Sequence, residues 1–160
     1  AYPGWGWMMK SGATSMYETW GGDCSHDHPM YGCISSYFFK YLAGIRPDPA
    51  SPGFAHFWIK PSLVGDLTWV KARFDSPHGL ITSSWQRTND RLVMDVTIPP
   101  NTSATVYVPS LPGKSASGIE AVTENGKAIV ETPGIKFLRM ESGTIVLKVA
   151  SGSYEITRKE

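Results

Sequence analysis

Alternation of apolar and polar residues with a period of two dominates the chain after residue 54 and constrains its fold more than any other feature. In the stretch LTWVKARFD, one side carries Val70, Ala72 and Phe74 while the other carries polar residues and Trp69. Leu92–Ile98 repeats the pattern, and so does the stretch SATVYV that follows it. Such alternation is typical of half-buried strands, because successive side chains of a strand point to opposite faces.

Turn-forming residues separate these predicted strands. The signals include Pro77-His78-Gly79, Pro99-Pro100-Asn101, Asn125-Gly126 and Ser142-Gly143. Short alternating strands at this spacing predict a mainly β fold, an antiparallel β-sandwich over 54–160.

The N-terminal part of the chain shows a helical period instead. After Pro29, apolar residues recur with spacings of three and four and predict a helix with a wide buried stripe, which Gly44 would end. Pro29 suits the first turn of that helix and leaves His28 near the cap. An earlier helical pattern runs from Trp5 to Gly12, so a loop should join the two helices. The stripe consists of Cys33, Ile34, Tyr37, Phe38, Tyr41, Leu42 and Ile45.

The stretch RPDPASPG, with three prolines and a glycine, predicts a linker between the helical and β parts. The sequence therefore predicts three segments: helices and a loop over 1–46, a linker over 47–53 and the sandwich over 54–160.

Composition narrows the class of protein. Hydrophobic residues make up 41% of the 160 residues and charged residues 18%, so we expect a packed core rather than disorder. The net charge of +1 and the lack of a basic run argue against nucleic acid or an anionic membrane as the main partner. The chain has no apolar stretch of bilayer length. It does not begin with Met, so we expect a fragment or a processed product, and the localisation stays open.

The loop between the predicted helices holds the densest group of chemically active side chains: Glu18, Trp20, Asp27 and His28. Glu18 is a candidate for proton transfer, because a carboxylate in an aromatic pocket on a loop can serve as a proton acceptor or donor. The alternative is an ordinary exposed glutamate. The nearby tryptophans and tyrosines form either a core or a platform for a sugar ring, whose C–H face stacks well on aromatic rings.

The sequence HDH raises the possibility of a metal site. His26 and His28 would point the same way on an extended segment, but zinc needs a third and usually a fourth ligand. The alternatives are capping or core histidines, or a hydrogen bond from His28 to a ligand hydroxyl. Cys24 and Cys33 do not form a CxxC pair, and we expect two free or half-buried thiols, with a disulfide left as the other option.

Three long stretches resemble consecutive parts of the bacterial α-L-rhamnosidases: YPGWGWMMKSGATSMYETW, SHDHPMYGCISSYFFKYLAGI and PGFAHFWIKPSLVGDLTWVKARFDSPHGLITSSW. The resemblance implies that the two helices belong to an (α/α)6 barrel that precedes the sandwich. It implies inverting hydrolysis of terminal α-L-rhamnosyl bonds, with Glu18 as general base and His28 in contact with rhamnose. Trp20 and Asp27 match nearby pocket positions. It implies a bacterial parent, and we expect no cofactor and no metal. The localisation of that parent is left unknown, with a periplasmic or secreted location as one option.

The segment that carries the family's general acid has no counterpart here. Inversion needs a second carboxyl group roughly 6.5–9.5 Å from the base. We therefore expect the chain to be the C-terminal portion of a longer enzyme, partnered by the remainder of its barrel, and inactive alone. Three alternatives stay open. One is a non-catalytic carbohydrate-binding sandwich that uses Trp69 or Trp85, another is a structural domain, and the third is a different (α/α)6 glycosidase.

Overall fold

A computed structural model describes residues 2–114 and 118–160, which form two compact units that meet in sequence between Tyr37 and Phe38. In the first unit, helix α1 spans Trp5–Lys10 and helix α2 spans Ile34–Tyr37. A 3-10 turn at Pro29–Cys33 leads into α2, and the His28 side chain caps that turn. A long loop between Lys10 and His28 joins the two helical parts, as predicted.

The second unit begins with a π-helical turn at Phe38–Leu42. Gly44 then adopts a φ of +80°, which a side chain would oppose. The predicted single helix with a buried stripe is wrong in two respects. The segment is split among 3-10, α and π geometry, and several residues of the stripe are exposed, with Phe38 at 51%. Spacing predicts which residues share a helix face, but burial also needs a surface that covers that face.

The strands of the described residues all lie in the second unit. They are β1 Ile45–Pro47, β2 His56–Ile59, β3 Trp69–Ser76, β4 Gly79–Arg87, β5 Arg91–Val108, β6 Val122–Glu124, β7 Lys127–Ala128, β8 Ile135–Glu141 and β9 Thr144–Lys159. Short 3-10 turns occur at Pro52–Phe54, Ile119–Ala121 and Ile129–Glu131. No helix in the described part of the chain is long and apolar enough to cross a bilayer.

The long strands β5 and β9 run through both layers of the sandwich. Their first shared section pairs Arg91–Ile98 with residues 152–159, and this layer has the order β3-β4-β5-β9-β6-β7. Their second section pairs Ser103–Val108 with residues 145–150, and this layer has the order β1-β2-β5-β9-β8. The predicted antiparallel sandwich is confirmed, with one parallel pair between β2 and β5.

Strand β5 corrects one predicted turn. Pro99-Pro100-Asn101 does not separate two strands: pairing with β9 resumes after a register shift between Ile98 and Ser103. Asn101 has a φ of 60° at this bend. The local sequence signals a change of direction, and the partner strand bends with it at Gly152, so the ladder continues into the second layer.

The inner faces of both layers share one hydrophobic core. This core includes Phe57 and Ile59 of β2 and Ile81 and Trp85 of β4, all of which are almost fully buried. The predicted alternation is confirmed along β3 and β5. The alternating apolar positions of β5, all of them buried, are Leu92, Met94, Val96, Ile98, Ala104, Val106 and Val108.

The predicted linker is structured where it meets the sandwich. Ile45–Pro47 pairs with β2 as strand β1, and Asp48 forms an isolated bridge with Ser51. The assignment of 1–46, 47–53 and 54–160 to separate domains stays a prediction.

Candidate functional site

Two backbone hydrogen bonds close the loop that carries the predicted site residues. The Glu18 N–H donates to the Ser25 carbonyl at 2.8 Å, and the His28 N–H donates to the Met16 carbonyl at 2.8 Å. The segment that holds Glu18 therefore runs beside the segment that holds Asp27 and His28. The structure brings the predicted residues onto one closed loop, although they span eleven positions of sequence.

Glu18 is half-buried at the neck of this loop. Its carboxylate Oε2 accepts a hydrogen bond from the Ser25 N–H at 3.3 Å. One backbone donor fixes one carboxylate oxygen and leaves the other oxygen to accept a proton or a water molecule. A half-buried carboxylate with one free oxygen can accept a proton, which is the property that a general base requires.

His28 is half-buried and has a defined ring orientation. Its Nδ1 accepts a hydrogen bond from the Met30 N–H at 3.3 Å, which caps the turn that starts at Pro29. A neutral ring whose Nδ1 accepts carries its proton on Nε2, so Nε2 is a donor. His28 thus combines the predicted capping role with a donor that a ligand hydroxyl could use.

Each of the two loop aspartates is engaged by a hydroxyl. Asp27 is exposed, and its Oδ1 accepts from the Ser15 hydroxyl at 2.8 Å. Asp23 accepts from the Thr19 hydroxyl, and this hydrogen bond holds the pKa of the Asp23 carboxyl below its usual value. Sequence reasoning missed Ser15, Thr19 and Ser25, because a contact between residues four to twelve positions apart in an irregular loop leaves no periodic signal.

The aromatic residues of the first unit form two groups. Trp20 stacks on Tyr31 with ring centroids 4.0 Å apart, and Trp5 meets Trp20 edge to face at 5.6 Å. Tyr17 stacks on His26 at 4.1 Å and is the only buried aromatic residue among those described in this unit. The Trp20 group is half-buried or exposed, so it fits a wall of a pocket better than a core.

His26 has structural contacts rather than those of a metal ligand. It stacks on Tyr17, and its Nε2 donates to the Gly22 carbonyl at 2.7 Å. Across residues 2–114 and 118–160, no group of three or more His, Cys, Asp or Glu side chains is placed to hold a metal ion. Cys24 and Cys33 are free thiols, and both are exposed rather than half-buried.

The two tryptophans that a binding sandwich would use differ in accessibility. Trp85 is 2% exposed, and its Nε1 donates to the Leu42 carbonyl at 2.8 Å. It belongs to the core and cannot hold a ligand. Trp69 is 59% exposed on the outer face of β3.

A half-buried carboxylate, an oriented histidine donor and stacked aromatic rings can move a proton and hold a sugar ring. This loop is therefore typical of a carbohydrate-processing protein.

Comparison with known proteins gives the family. Residues 44–123 match the model of the bacterial alpha-L-rhamnosidase C-terminal domain, and residues 1–42 match that of the bacterial alpha-L-rhamnosidase 6 hairpin glycosidase domain. The chain belongs to the bacterial α-L-rhamnosidase family.

Curated relatives and solved structures agree with these matches. An alpha-L-rhamnosidase from Streptomyces avermitilis is 30% identical over 98% of the chain, and one from Formosa agariphila is 28% identical over 99%. The structure of an alpha-L-rhamnosidase from Dictyoglumus thermophilum is 31% identical and superposes on all of the chain with a TM-score of 0.79. The Streptomyces avermitilis enzyme complexed with L-rhamnose is 29% identical over 99% of the chain, with a TM-score of 0.76.

The chain covers only a small part of these relatives. It spans 15% of the Streptomyces avermitilis relative, 17% of the Formosa agariphila relative and 18% of the Dictyoglumus thermophilum chain. The activity of a whole relative is therefore a matter of proposal for this chain.

Proposed function

We propose that this chain is the C-terminal portion of an α-L-rhamnosidase that hydrolyses terminal non-reducing α-L-rhamnose from glycosides with inversion. The observation that carries the proposal is the position of Glu18. It lies half-buried in a hydrogen-bonded loop, within the part of the chain that matches the glycosidase domain. The curated relatives that match nearly the whole length of this chain are alpha-L-rhamnosidases.

In the proposed mechanism, Glu18 removes a proton from a water molecule as that water attacks the anomeric carbon of rhamnose. The attack comes from the face opposite the leaving group, which is why the product is inverted. The Ser25 N–H holds one carboxylate oxygen in place, so the other is oriented toward the water. His28 donates from Nε2 to a sugar hydroxyl, Trp20 forms a wall of the pocket, and Asp27 lies beside the sugar.

The general acid of this reaction comes from outside the 160 residues. The aspartates of the loop are poor candidates, because Asp23 and Asp27 are exposed and each accepts a hydrogen bond from a neighbouring hydroxyl. A carboxyl group must be protonated at the start of the reaction to act as an acid, and the Thr19 hydroxyl holds the pKa of the Asp23 carboxyl below its usual value. The chain alone therefore does not hydrolyse rhamnosides.

The exposed aromatic residues of the π-helical turn support this partnership with a larger catalytic domain. Phe38, Phe39 and Tyr41 are each more than a third exposed, although they lie at helical spacing. Apolar surface of this kind marks a site of interaction. The remainder of the barrel is the partner that the family match implies.

The test is Glu18→Gln in the complete polypeptide that carries this chain. The amide keeps an acceptor for the Ser25 N–H but cannot take a proton at neutral pH. Loss of a general base should lower kcat on an aryl α-L-rhamnoside by about 10²–10⁴-fold, with a smaller effect on KM. The matched control is Asp23→Asn in the same loop, which should leave kcat within about twofold.

Two further readouts identify the base. When NMR monitors hydrolysis by the wild-type polypeptide, β-L-rhamnose should be the first anomer to appear. In Glu18→Ala, added azide should restore turnover and yield the β-rhamnosyl azide, because azide needs no deprotonation to attack. Full activity of Glu18→Gln, or measurable turnover by the purified 160-residue chain, would overturn the proposal.

A further inference from the structure

The outer face of β3, β4 and β5 carries a concave patch around Trp69. Val70 points inward and packs against the core, so the alternation of β3 turns Trp69 and Lys71 outward. Trp69 is 59% exposed, an unusual state for a residue of this size at the edge of a folded sandwich.

Polar side chains surround this ring on neighbouring strands. Gln86 lies directly opposite Trp69 on β4, and Ser84 lies opposite Lys71. Asp95 of β5 lies opposite Ser84 in turn. Together these residues line a cavity of about 390 Å³. The exposed indole of Trp69 thus forms one wall of a depression, and side chains that donate or accept hydrogen bonds line its other walls.

Across residues 2–114 and 118–160, no side-chain hydrogen bond or ion pair engages the polar side chains that line this depression, which are Lys71, Ser84, Gln86 and Asp95. Farther along the same face, Thr97 and Ser153 are bonded to each other at 3.1 Å. The polar side chains around Trp69 are therefore open to hydrogen bonds with a ligand.

We propose that this patch, the Trp69 face, is a binding site for a neutral saccharide. A pyranose ring presents a C–H face that stacks on the indole, and its hydroxyl groups can pair with Lys71, Gln86 and Asp95. One cation and one anion cancel across the patch, which favours a neutral polyhydroxylic ligand over a phosphate or a sulfated chain. The site belongs wholly to the sandwich and does not depend on hydrolysis by Glu18.

The experiment measures saccharide retention by the complete polypeptide in the Glu18→Gln background, so that the probe is not consumed. Native gels contain a neutral rhamnose-bearing polysaccharide, a neutral glucan or no polysaccharide. Trp69→Ala should weaken retention by at least about tenfold in one or both saccharide gels. Trp69→Tyr, which keeps a stacking ring, should retain most of the affinity.

The matched control is Trp58→Ala. Trp58 is a half-buried tryptophan of β2 that faces outward between buried Phe57 and Ile59. Its substitution should leave retention unchanged. Gln86→Ala should weaken retention by a smaller factor than Trp69→Ala, because it removes one hydrogen-bonding partner and leaves the ring.

Hydrolysis of a small aryl α-L-rhamnoside, measured with Glu18 intact, separates this proposal from the proposed function. Trp69→Ala should leave that activity within about twofold, because the ring is not part of the catalytic loop. Unchanged retention in Trp69→Ala would overturn the saccharide site, whatever the hydrolysis result. So would equal loss in Trp58→Ala, or a lower thermal midpoint in Trp69→Ala, which would make the face a buried interface with another protein segment.

Discussion

The two units of this chain differ in the interactions that stabilise each of them. The second unit, from Phe38 onward, has a continuous hydrophobic core shared by two layers of sheet. The first unit buries only Met8 and Tyr17 to a comparable degree among its described residues. Its candidate site depends instead on hydrogen bonds, such as those made by the backbone N–H groups of Glu18 and His28.

This difference indicates that the residues that stabilise the fold and the residues of the candidate site lie in separate parts of the sequence. A sandwich with a large core folds by burying apolar area, and changes there should act on the free energy of unfolding. A loop held by a few polar contacts can open locally at little cost, and changes there should act on the site. The three predictions below test this separation.

The largest effect should come from Trp85→Ala. Trp85 is 2% exposed in the core, and its Nε1 is bonded to the Leu42 carbonyl. Removing the indole leaves a cavity and an orphaned carbonyl group, so the free energy of unfolding should fall by about 3–5 kcal/mol. Chemical denaturation followed by far-UV circular dichroism measures this. A loss below about 1 kcal/mol would show that the core reorganises and that the sandwich is not the source of stability.

A smaller and local effect should follow from Tyr17→Ala. Tyr17 stacks on His26 and is the anchor of the site loop. Without it, the amides of Glu18 and His28 should exchange with deuterium about tenfold faster or more, while the amides of β5 and β9 keep their protection. The matched control is Tyr2→Ala, which removes an exposed ring at the edge of the same aromatic group.

Faster amide exchange in β5 and β9 of Tyr17→Ala would contradict the separation between the two units. That result would make the two units one cooperative structure, because a loop anchor would then control the stability of the core.

The smallest effect should follow from Thr19→Val. The Thr19 hydroxyl lowers the pKa of the Asp23 carboxyl, so its removal should raise that pKa toward the usual value. A lowered pKa favours the ionised carboxylate in the folded loop. The stabilisation that the ionised Asp23 carboxylate gives the folded loop is therefore present above the usual pKa of aspartate. It is lost as the pH falls through the lowered pKa of Asp23 in the folded loop. A ¹³C NMR titration of Asp23 measures the shift, and Thr19→Ser should keep the pKa low.

Several elements could be predicted from the sequence for clear physical reasons. The alternation of β3 and β5 identified their buried residues, because a period of two fixes which side chains share a face. Pro29 identified the start of a helical segment, and His28 was expected at its cap, where its Nδ1 now accepts from the Met30 N–H. Local geometry is sufficient for both.

Other elements could not be predicted, because they depend on partners distant in sequence. Pro99-Pro100-Asn101 has the composition of a turn, yet β5 continues because β9 bends beside it. The buried stripe expected between Cys33 and Ile45 is largely exposed, because spacing does not say what covers a helix. The roles of Glu18, Trp20, Asp27 and His28 stay predictions that the substitutions above address.

By itself, the sequence determined that this protein is a β-sandwich preceded by helices and that Glu18 and His28 share one loop. Those features follow from local periodicity and turn chemistry. Only the tertiary structure decided that Trp85 of β4 lies in the core, where its Nε1 donates to the Leu42 carbonyl. Which face of a strand meets the core depends on register with its neighbours, and register is a property of the assembled sheet.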